Sequence, residues 1–253
     1  MKIYCFETKE EAGEAAAKSV ANVIKSSSEA VLGLATGSSP IPMYNSLAKM
    51  YNDGELSFAS VKSVNLDEYV GLEETHEQSY RYFMNDNLFN KVDINLENTR
   101  VPSGIAADLD AECRAYDAYI DSLGGIDVQI LGIGHNGHIG FNEPAESFSK
   151  GTAVVTLTDS TVNANARFFA SREEVPTRAI SMGVGAIMKA KKIILLVNGS
   201  AKADILEKAL FGDVTPYVPA SILQFASDVE VYADREALFE IIKNHYDSVI
   251  FNA

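Results

Sequence analysis

Cysteine and positive charge are both scarce in this sequence. The two cysteines, Cys5 and Cys113, lie far apart and form no CxxC motif. A disulfide framework or a zinc site requires more thiols at closer spacing, so we expect two packing thiols and no metal. Lysine and arginine number 21 against 35 aspartates and glutamates, which gives a net charge of −14. Because such a chain repels nucleic acid and anionic membranes, we expect neither as a partner.

Long apolar runs are also missing. No stretch approaches the roughly 18 apolar residues of a membrane span, and the chain turns acidic directly after Phe6, unlike a secretory signal. No repeat, low-complexity tract or linker divides the sequence. We therefore predict a cytoplasmic protein in which residues 1–253 form a single domain.

Short apolar segments rich in β-branched residues alternate with helical patterns along the chain. Thr8 and Glu11 have capping-box spacing at the start of one helix. Pro40 suits the first turn of a second helix, and Asp108 can cap a third. The alternation predicts an α/β fold, a single doubly wound, Rossmann-like domain with a mostly parallel central sheet flanked by helices. The predicted strands span residues 3–6, 31–35, 61–66, 128–132, 179–182, 193–197 and 229–232.

Ligands of such sheets bind beyond the carboxyl ends of the strands, so the loops there are the places to search. Residues 34–40 (LATGSSP) offer a glycine, two serine hydroxyls and the N–H groups of a helix start, which is typical of a phosphate cradle. The segment lacks the Lys-Ser/Thr ending of a nucleotide-binding loop, so ATP is not implied. An ordinary turn between strand and helix is an equal alternative.

Residues 64–71 (VNLDEYVG) place Asp67 directly after the apolar residue that ends a predicted strand. A carboxylate there either acts as a general base in the strand-end crevice or caps a helix, and this segment alone leaves both alternatives open.

Residues 131–144 (LGIGHNGHIGFNEP) form a glycine-rich turn that brings His138 and Glu143 together. A histidine oriented by a carboxylate is a common proton-transfer unit. Three glycines match the dinucleotide fingerprint, but Pro144 arrives too soon for the long helix that such a site requires. We therefore interpret the match as accidental and expect no organic cofactor.

The last two segments resemble the signature segments of the glucosamine-6-phosphate deaminase (isomerase) family, in the same order and at similar separation. Residues 36–39 (TGSS), 166–169 (ARFF) and 199–202 (GSAK) also have counterparts there. The resemblance implies isomerisation and deamination of glucosamine 6-phosphate to fructose 6-phosphate and ammonia, without a cofactor. It also implies that the substrate phosphate is bound by the backbone of Gly37, Ser38 and Ser39 and by the cations Arg167 and Lys202. Without the resemblance, each of these two cations would be interpreted as a surface charge.

The resemblance assigns the proton transfers as well. His138 would serve ring opening with Glu143 orienting it, and Asp67 would carry the C2 proton to C1. Many family members have Asp where this chain has Asn136. An amide forms hydrogen bonds but cannot ionise, so we expect Asn136 to hold the His138 ring in a variant relay, with activity retained.

Regulation and assembly follow from the same resemblance. Hexameric members bind an activator phosphate through basic residues that follow the Asn-Glu-Pro turn, whereas this chain has Ala153 and Val155 there. We therefore expect a monomer or small homo-oligomer without such activation. The segment from about Thr152 to Phe169, which contains Arg167, is predicted to be a lid over the substrate.

Three other functions remain as alternatives. A galactosamine-6-phosphate deaminase would differ in the contacts of one hydroxyl, which sequence does not reveal. A 6-phosphogluconolactonase would not need a carboxylate such as Asp67 for proton shuttling. A sugar-phosphate-sensing domain would be expected to accompany a DNA-binding segment, whereas the first 30 residues read as a strand and an alanine-rich helix.

Overall fold

The computed structural model describes residues 1–27 and 29–251, and within them strands and helices alternate. The strands are β1 Lys2–Phe6, β2 Val31–Leu34, β3 Lys62–Asn65, β4 Asp67–Tyr69, β5 Thr99–Arg100, β6 Val128–Leu131, β7 Ala153–Thr156, β8 Arg178–Ser181, β9 Lys192–Val197, β10 Val229–Asp234 and β11 Val249–Phe251. The α-helices are α1 Lys9–Ser26, α2 Ile41–Asn52, α3 Tyr80–Asn87, α4 Leu109–Ser122, α5 Asp159–Asn165, α6 Val184–Ile187, α7 Ala203–Phe211 and α8 Phe239–Asn244.

Eight strands form one central sheet in the order β11-β1-β10-β9-β6-β2-β3-β5, and its pairings are parallel. Strands β2 and β6 are buried at every residue, as expected for a parallel sheet covered by helices. Helix α1 packs against α2 and against β9 and β10. The predicted doubly wound α/β fold with a mostly parallel central sheet is confirmed.

The helices begin where their sequence signals predict. The Thr8 hydroxyl accepts the Glu11 backbone N–H at 3.2 Å, and the Glu11 carboxylate accepts the Thr8 N–H at 3.1 Å, which completes a capping box for α1. Pro40 directly precedes α2, and the Asp108 carboxylate accepts an N–H at the start of α4. These sequence signals therefore mark the starts of α1, α2 and α4.

One predicted strand lies in a different sheet. We predicted residues 179–182 as another parallel strand, and this is wrong, because β8 runs antiparallel to β4 and β7 in a separate three-stranded sheet. The chain continues past the end of β3 into β4, and the Met182 N–H donates to the Leu66 carbonyl at 2.7 Å beside that junction. An apolar segment of the sequence predicts that a strand is buried, but it does not identify the strand with which it pairs.

The strand order changes direction beside β2. The chain leaves β2 for β3 on one side, while β6 on the other side leads to β9. The loops that follow these four strands therefore meet at one edge of the sheet, which is where a doubly wound sheet binds its ligand. Within the described ranges, no helix has the length and apolarity needed to cross a lipid bilayer.

Candidate active site

A cavity of about 360 Å³ opens at this edge of the sheet. The loops that follow β2, β3, β6 and β9 border it, and residues from the segment 161–169 cover one side. It holds a small polar ligand comfortably. Of the predicted site residues, those that line it are Gly37, Ser38, Ser39, Asp67, His138, Arg167 and Lys202. Asn136 and Glu143 stand behind His138.

One end of the cavity is suited to an anion. Gly37 has a φ of 90°, a conformation that residues with a side chain rarely adopt, and this turn leads the chain into α2. The Ser39 hydroxyl donates to Asn198 Oδ1 at 3.1 Å, so the loops after β2 and β9 are joined. Burial and the nearby charge of Arg167 both lower the pKa of Lys202. An anion bound between these two cations would relieve that repulsion.

The two acidic residues of β4 have different surroundings. Asp67 is 6% exposed and faces the cavity, and burial together with the charge of Glu68 raises its pKa to about 8. Glu68 is also buried, but its carboxylate accepts the backbone N–H groups of Tyr69, Tyr80 and Arg81 at 2.8 to 3.0 Å. Successive residues of a strand point to opposite faces. Glu68 therefore accepts N–H groups at the start of α3, and Asp67 is the carboxylate that faces the cavity.

The turn after β6 places a histidine in front of a carboxylate. His138 Nδ1 lies 3.5 Å from Glu143 Oε2. Gly134 lies against the imidazole, and a side chain there would overlap the ring. Burial raises the pKa of Glu143, but contacts with His138, Thr161 and Asn136 outweigh it and lower that pKa to about 2. Glu143 is thus an anion beside His138.

Asn136 contacts a different group from the one we expected. Its amide Nδ2 donates to Glu143 Oε2 at 2.6 Å, and its Oδ1 accepts the backbone N–H of His138 at 3.3 Å. The amide therefore holds the carboxylate and the turn, whereas we predicted that it would hold the imidazole ring. No helix begins between β6 and β7, so the glycine-rich turn lacks the long helix that a dinucleotide site requires.

The sequence did not indicate the aromatic wall of the cavity. Tyr69, Tyr80 and Phe141 pack against one another with ring centroids 4.9 to 6.0 Å apart. Burial raises the pKa of Tyr69 to about 12, so its hydroxyl stays protonated, and it accepts a hydrogen bond from Asn165 Nδ2 at 2.8 Å. Tyr69 and Phe141 lie inside the two segments that carry the family resemblance. The aromatic residues next to the polar ones in these segments were the sequence signal that could have indicated the wall.

Three further contacts join α5 and its N-cap residue Thr158 to the turn after β6. His135 Nε2 lies 2.8 Å from the Ser160 hydroxyl. Glu143 Oε1 accepts hydrogen bonds from the hydroxyls of Thr158 and Thr161. Among the residues that the structure describes, no three His, Cys, Asp or Glu side chains group closely enough to hold a metal ion.

Comparison with known proteins identifies the family. The model described as glucosamine-6-phosphate isomerases/6-phosphogluconolactonase matches residues 7–232. The chain belongs to this family. A glucosamine-6-phosphate deaminase of Lachnoclostridium phytofermentans is 63% identical over 201 residues, which cover 79% of this chain and 85% of that protein. One of Clostridium perfringens is 52% identical over 237 residues, covering 94% and 98%.

Solved structures of the glucosamine-6-phosphate isomerase/6-phosphogluconolactonase family have the same architecture. A monomeric glucosamine-6-phosphate deaminase superposes with a TM-score of 0.92 at 46% identity, covering 94% of this chain and 98% of the other. A 6-phosphogluconolactonase of Trypanosoma brucei superposes with a TM-score of 0.72 at 17% identity, covering 95% and 98%. The second likeness concerns the fold alone.

Proposed function

We propose that the protein is a glucosamine-6-phosphate deaminase, which converts glucosamine 6-phosphate to fructose 6-phosphate and ammonia. The observation that carries the proposal is the buried Asp67 carboxylate in a cavity that Arg167 and Lys202 also line. An aldose-ketose isomerisation needs a base beside the sugar carbon, and a phosphorylated sugar needs cations at a distance from it. The deaminases that are 52% and 63% identical to this chain support the same activity.

Substrate binding is assigned to the loop after β2 and to the two cations. The phosphate contacts the backbone of Gly37, Ser38 and Ser39, while Arg167 and Lys202 balance its charge. The Ser39 hydroxyl already donates to Asn198, so Ser39 acts chiefly through its backbone. The aromatic wall packs against the apolar face of the sugar.

Ring opening is assigned to His138. Its imidazole accepts the proton of the anomeric hydroxyl and returns a proton to the ring oxygen. The anionic Glu143 stabilises the imidazolium that forms in between and fixes the ring orientation. Asn136 holds the same carboxylate through its amide and takes no proton.

Enolisation is assigned to Asp67. Its carboxylate removes the C2 proton and delivers it to C1, while the C1 oxygen gains the proton that the amine loses. This leaves an imine at C2, which water hydrolyses to the ketone and ammonia. The pKa of about 8 in the free protein suits a group that must both accept and return a proton near neutral pH. A protonated substrate amine beside the carboxylate would lower that pKa on binding.

The remaining proposals concern the setting of the reaction. The proposed proton transfers use only protein side chains, so the scheme includes no metal or organic cofactor. The solved deaminase at 46% identity is described as monomeric, which supports a monomer here. The net charge of −14 argues against nucleic acid as a partner, and we place the activity in the cytoplasm as part of amino-sugar catabolism.

Product analysis tests the proposed reaction. The purified protein with glucosamine 6-phosphate should release ammonia and fructose 6-phosphate in equal amounts. Parallel reactions with galactosamine 6-phosphate and with 6-phosphogluconolactone address the two enzyme alternatives. The proposal fails if lactone hydrolysis is the faster reaction, if glucosamine 6-phosphate yields no ammonia, or if galactosamine 6-phosphate is the faster amino-sugar substrate.

A further inference from the structure

Helix α5 supplies hydrogen-bond donors to the carboxylate behind His138. The hydroxyls of Thr161 and Thr158 both contact Glu143 Oε1, the latter at 3.3 Å. The other oxygen, Oε2, accepts from Asn136 at 2.6 Å and lies 3.5 Å from His138 Nδ1. Glu143 is therefore held by α5 through one oxygen and faces the imidazole through the other.

Thr161 is the better placed of the two hydroxyls. It is 3% exposed, whereas Thr158 is exposed and already accepts the backbone N–H of Thr161 as the N-cap of α5. A threonine within a helix commonly bonds the carbonyl one turn earlier. The Thr161 hydroxyl instead reaches across to a carboxylate 18 positions away in sequence.

The hydroxyl favours the ionised form of Glu143. A hydrogen bond donated to a carboxylate lowers its pKa, and the bond from Thr161 acts in this direction against burial. The titratable groups that face Glu143 are His138 and, farther away, His135, both in its own turn. The groups that α5 turns toward it are uncharged hydroxyls.

We infer that Thr161 is a positioning residue for Glu143, and that Glu143 and His138 reach their working geometry only when α5 is packed on the turn after β6. The inference rests on the proposed function, which gives this pair its task in ring opening. It also links binding to chemistry, since α5 runs directly into the short helix that carries Arg167. The segment that carries Arg167 to the phosphate therefore also positions Glu143 beside His138 for ring opening.

The kinetic test compares three variants. Thr161→Val keeps the shape and removes the hydroxyl, Thr161→Ser restores a hydroxyl, and Thr152→Val is the matched control. Thr152 is also buried and also donates to a carboxylate, that of Asp117 on α4, which lies outside the cavity. We expect Thr161→Val to lower kcat on the order of tenfold with KM nearly unchanged. Thr161→Ser should recover most of the loss, and Thr152→Val should keep the wild-type kcat.

A spectroscopic readout separates this inference from the proposed function. The chain has four histidines, so the ring nitrogen signals of His138 can be assigned by NMR with a His138→Gln variant. Thr161→Val should move these signals, and Thr152→Val should leave them in place. If the wild type releases no ammonia from glucosamine 6-phosphate, the proposed function fails, while the ring signals still decide the role of Thr161.

Several outcomes would overturn the inference. Wild-type kcat in Thr161→Val, no recovery in Thr161→Ser, or an equal loss in Thr152→Val would each do so. A lower kcat with unchanged His138 signals would mean that the hydroxyl acts on the substrate and not through Glu143. Should Thr161→Val fail to fold, Thr161→Ala removes the same hydroxyl with less bulk and carries the same expectations.

Discussion

Neighbouring carboxylates on one strand illustrate how backbone geometry divides two tasks. Asp67 and Glu68 follow each other in β4, yet one faces the cavity and the other accepts two N–H groups at the start of α3 and that of Tyr69. The sequence offered a base and a cap as alternatives for Asp67. The structure contains both, because alternate residues of a strand point to opposite faces.

Asp67→Asn should abolish most of the turnover while stabilising the protein. An amide of the same shape cannot accept the C2 proton, so kcat should fall on the order of 10²- to 10⁴-fold with KM little changed. The pKa of Asp67 is about 8 in the folded protein, against about 3.9 in an unfolded chain. Ionising the buried group therefore costs stability from above pH 4, and the cost grows until about pH 8.

The stabilisation by Asp67→Asn should consequently be larger at pH 8 than at pH 5, by on the order of 3 kcal/mol in urea unfolding. A variant that turns over within a few-fold of the wild type would remove Asp67 from the enolisation step. A gain in stability that is the same at both pH values would contradict the raised pKa.

Burial raises the pKa of Glu68 as well, to about 7, but its carboxylate also accepts three backbone hydrogen bonds. Glu68→Ala leaves three N–H groups without their acceptor and should cost about 1 to 3 kcal/mol of stability. Glu68→Gln retains an acceptor and should keep turnover within a few-fold of the wild type. Urea unfolding and steady-state kinetics at one pH measure both effects. If Glu68→Gln loses turnover as fully as Asp67→Asn, the base has been assigned to the wrong carboxylate.

At the scale of elements, the region predicted as a lid divides into two parts. Thr152 is tied to Asp117 by its hydroxyl and its N–H, and β7 pairs with β8. The second part is the segment 157–169, which holds α5 and Arg167 and packs on the cavity through hydrogen bonds to Glu143 and through an apolar cluster with Tyr69 and Phe141. The lid itself stays a prediction.

Amide exchange should detect closure of this segment. With a saturating ring-opened, reduced analogue of the amino-sugar phosphate, exchange within residues 157–169 should slow, because the phosphate holds Arg167 and with it the end of α5. Residues 153–156 should exchange alike with and without the analogue and serve as the internal control. Unchanged exchange throughout 157–169 would disprove the lid.

Local signals predicted what local interactions determine. The Thr8 and Glu11 pair sets the start of α1 in isolation from the rest of the chain, and Asp67 follows a strand end wherever that strand lies in the sheet. The antiparallel β8 and the contact between Thr161 and Glu143 escaped prediction, because both arise when distant segments pack together. Asn136 was recognised as part of the site, but its partner depends on the fold of the turn.

At the scale of the whole molecule, the site places two cations in an acidic protein. A net charge of −14 repels a sugar phosphate, and the positive charges of Arg167 and Lys202 in the cavity counteract this repulsion. Burial and the neighbouring positive charge of Arg167 both disfavour the charged form of Lys202, and they lower its pKa. Attraction of the substrate is therefore local and short in range.

The scarcity of cations also bears on regulation. We expect a monomer with hyperbolic kinetics. A phosphate activator needs fixed positive groups, whereas β7 carries Ala153, which is exposed, and Val155 at the positions where activated relatives are expected to have them. Sedimentation velocity should give a single species near the 27.4 kDa of one chain. Rates against glucosamine 6-phosphate should fit a Hill coefficient of about 1 with or without N-acetylglucosamine 6-phosphate. A larger species with sigmoidal rates that the acetylated sugar makes hyperbolic would show that an activator site exists elsewhere on the surface.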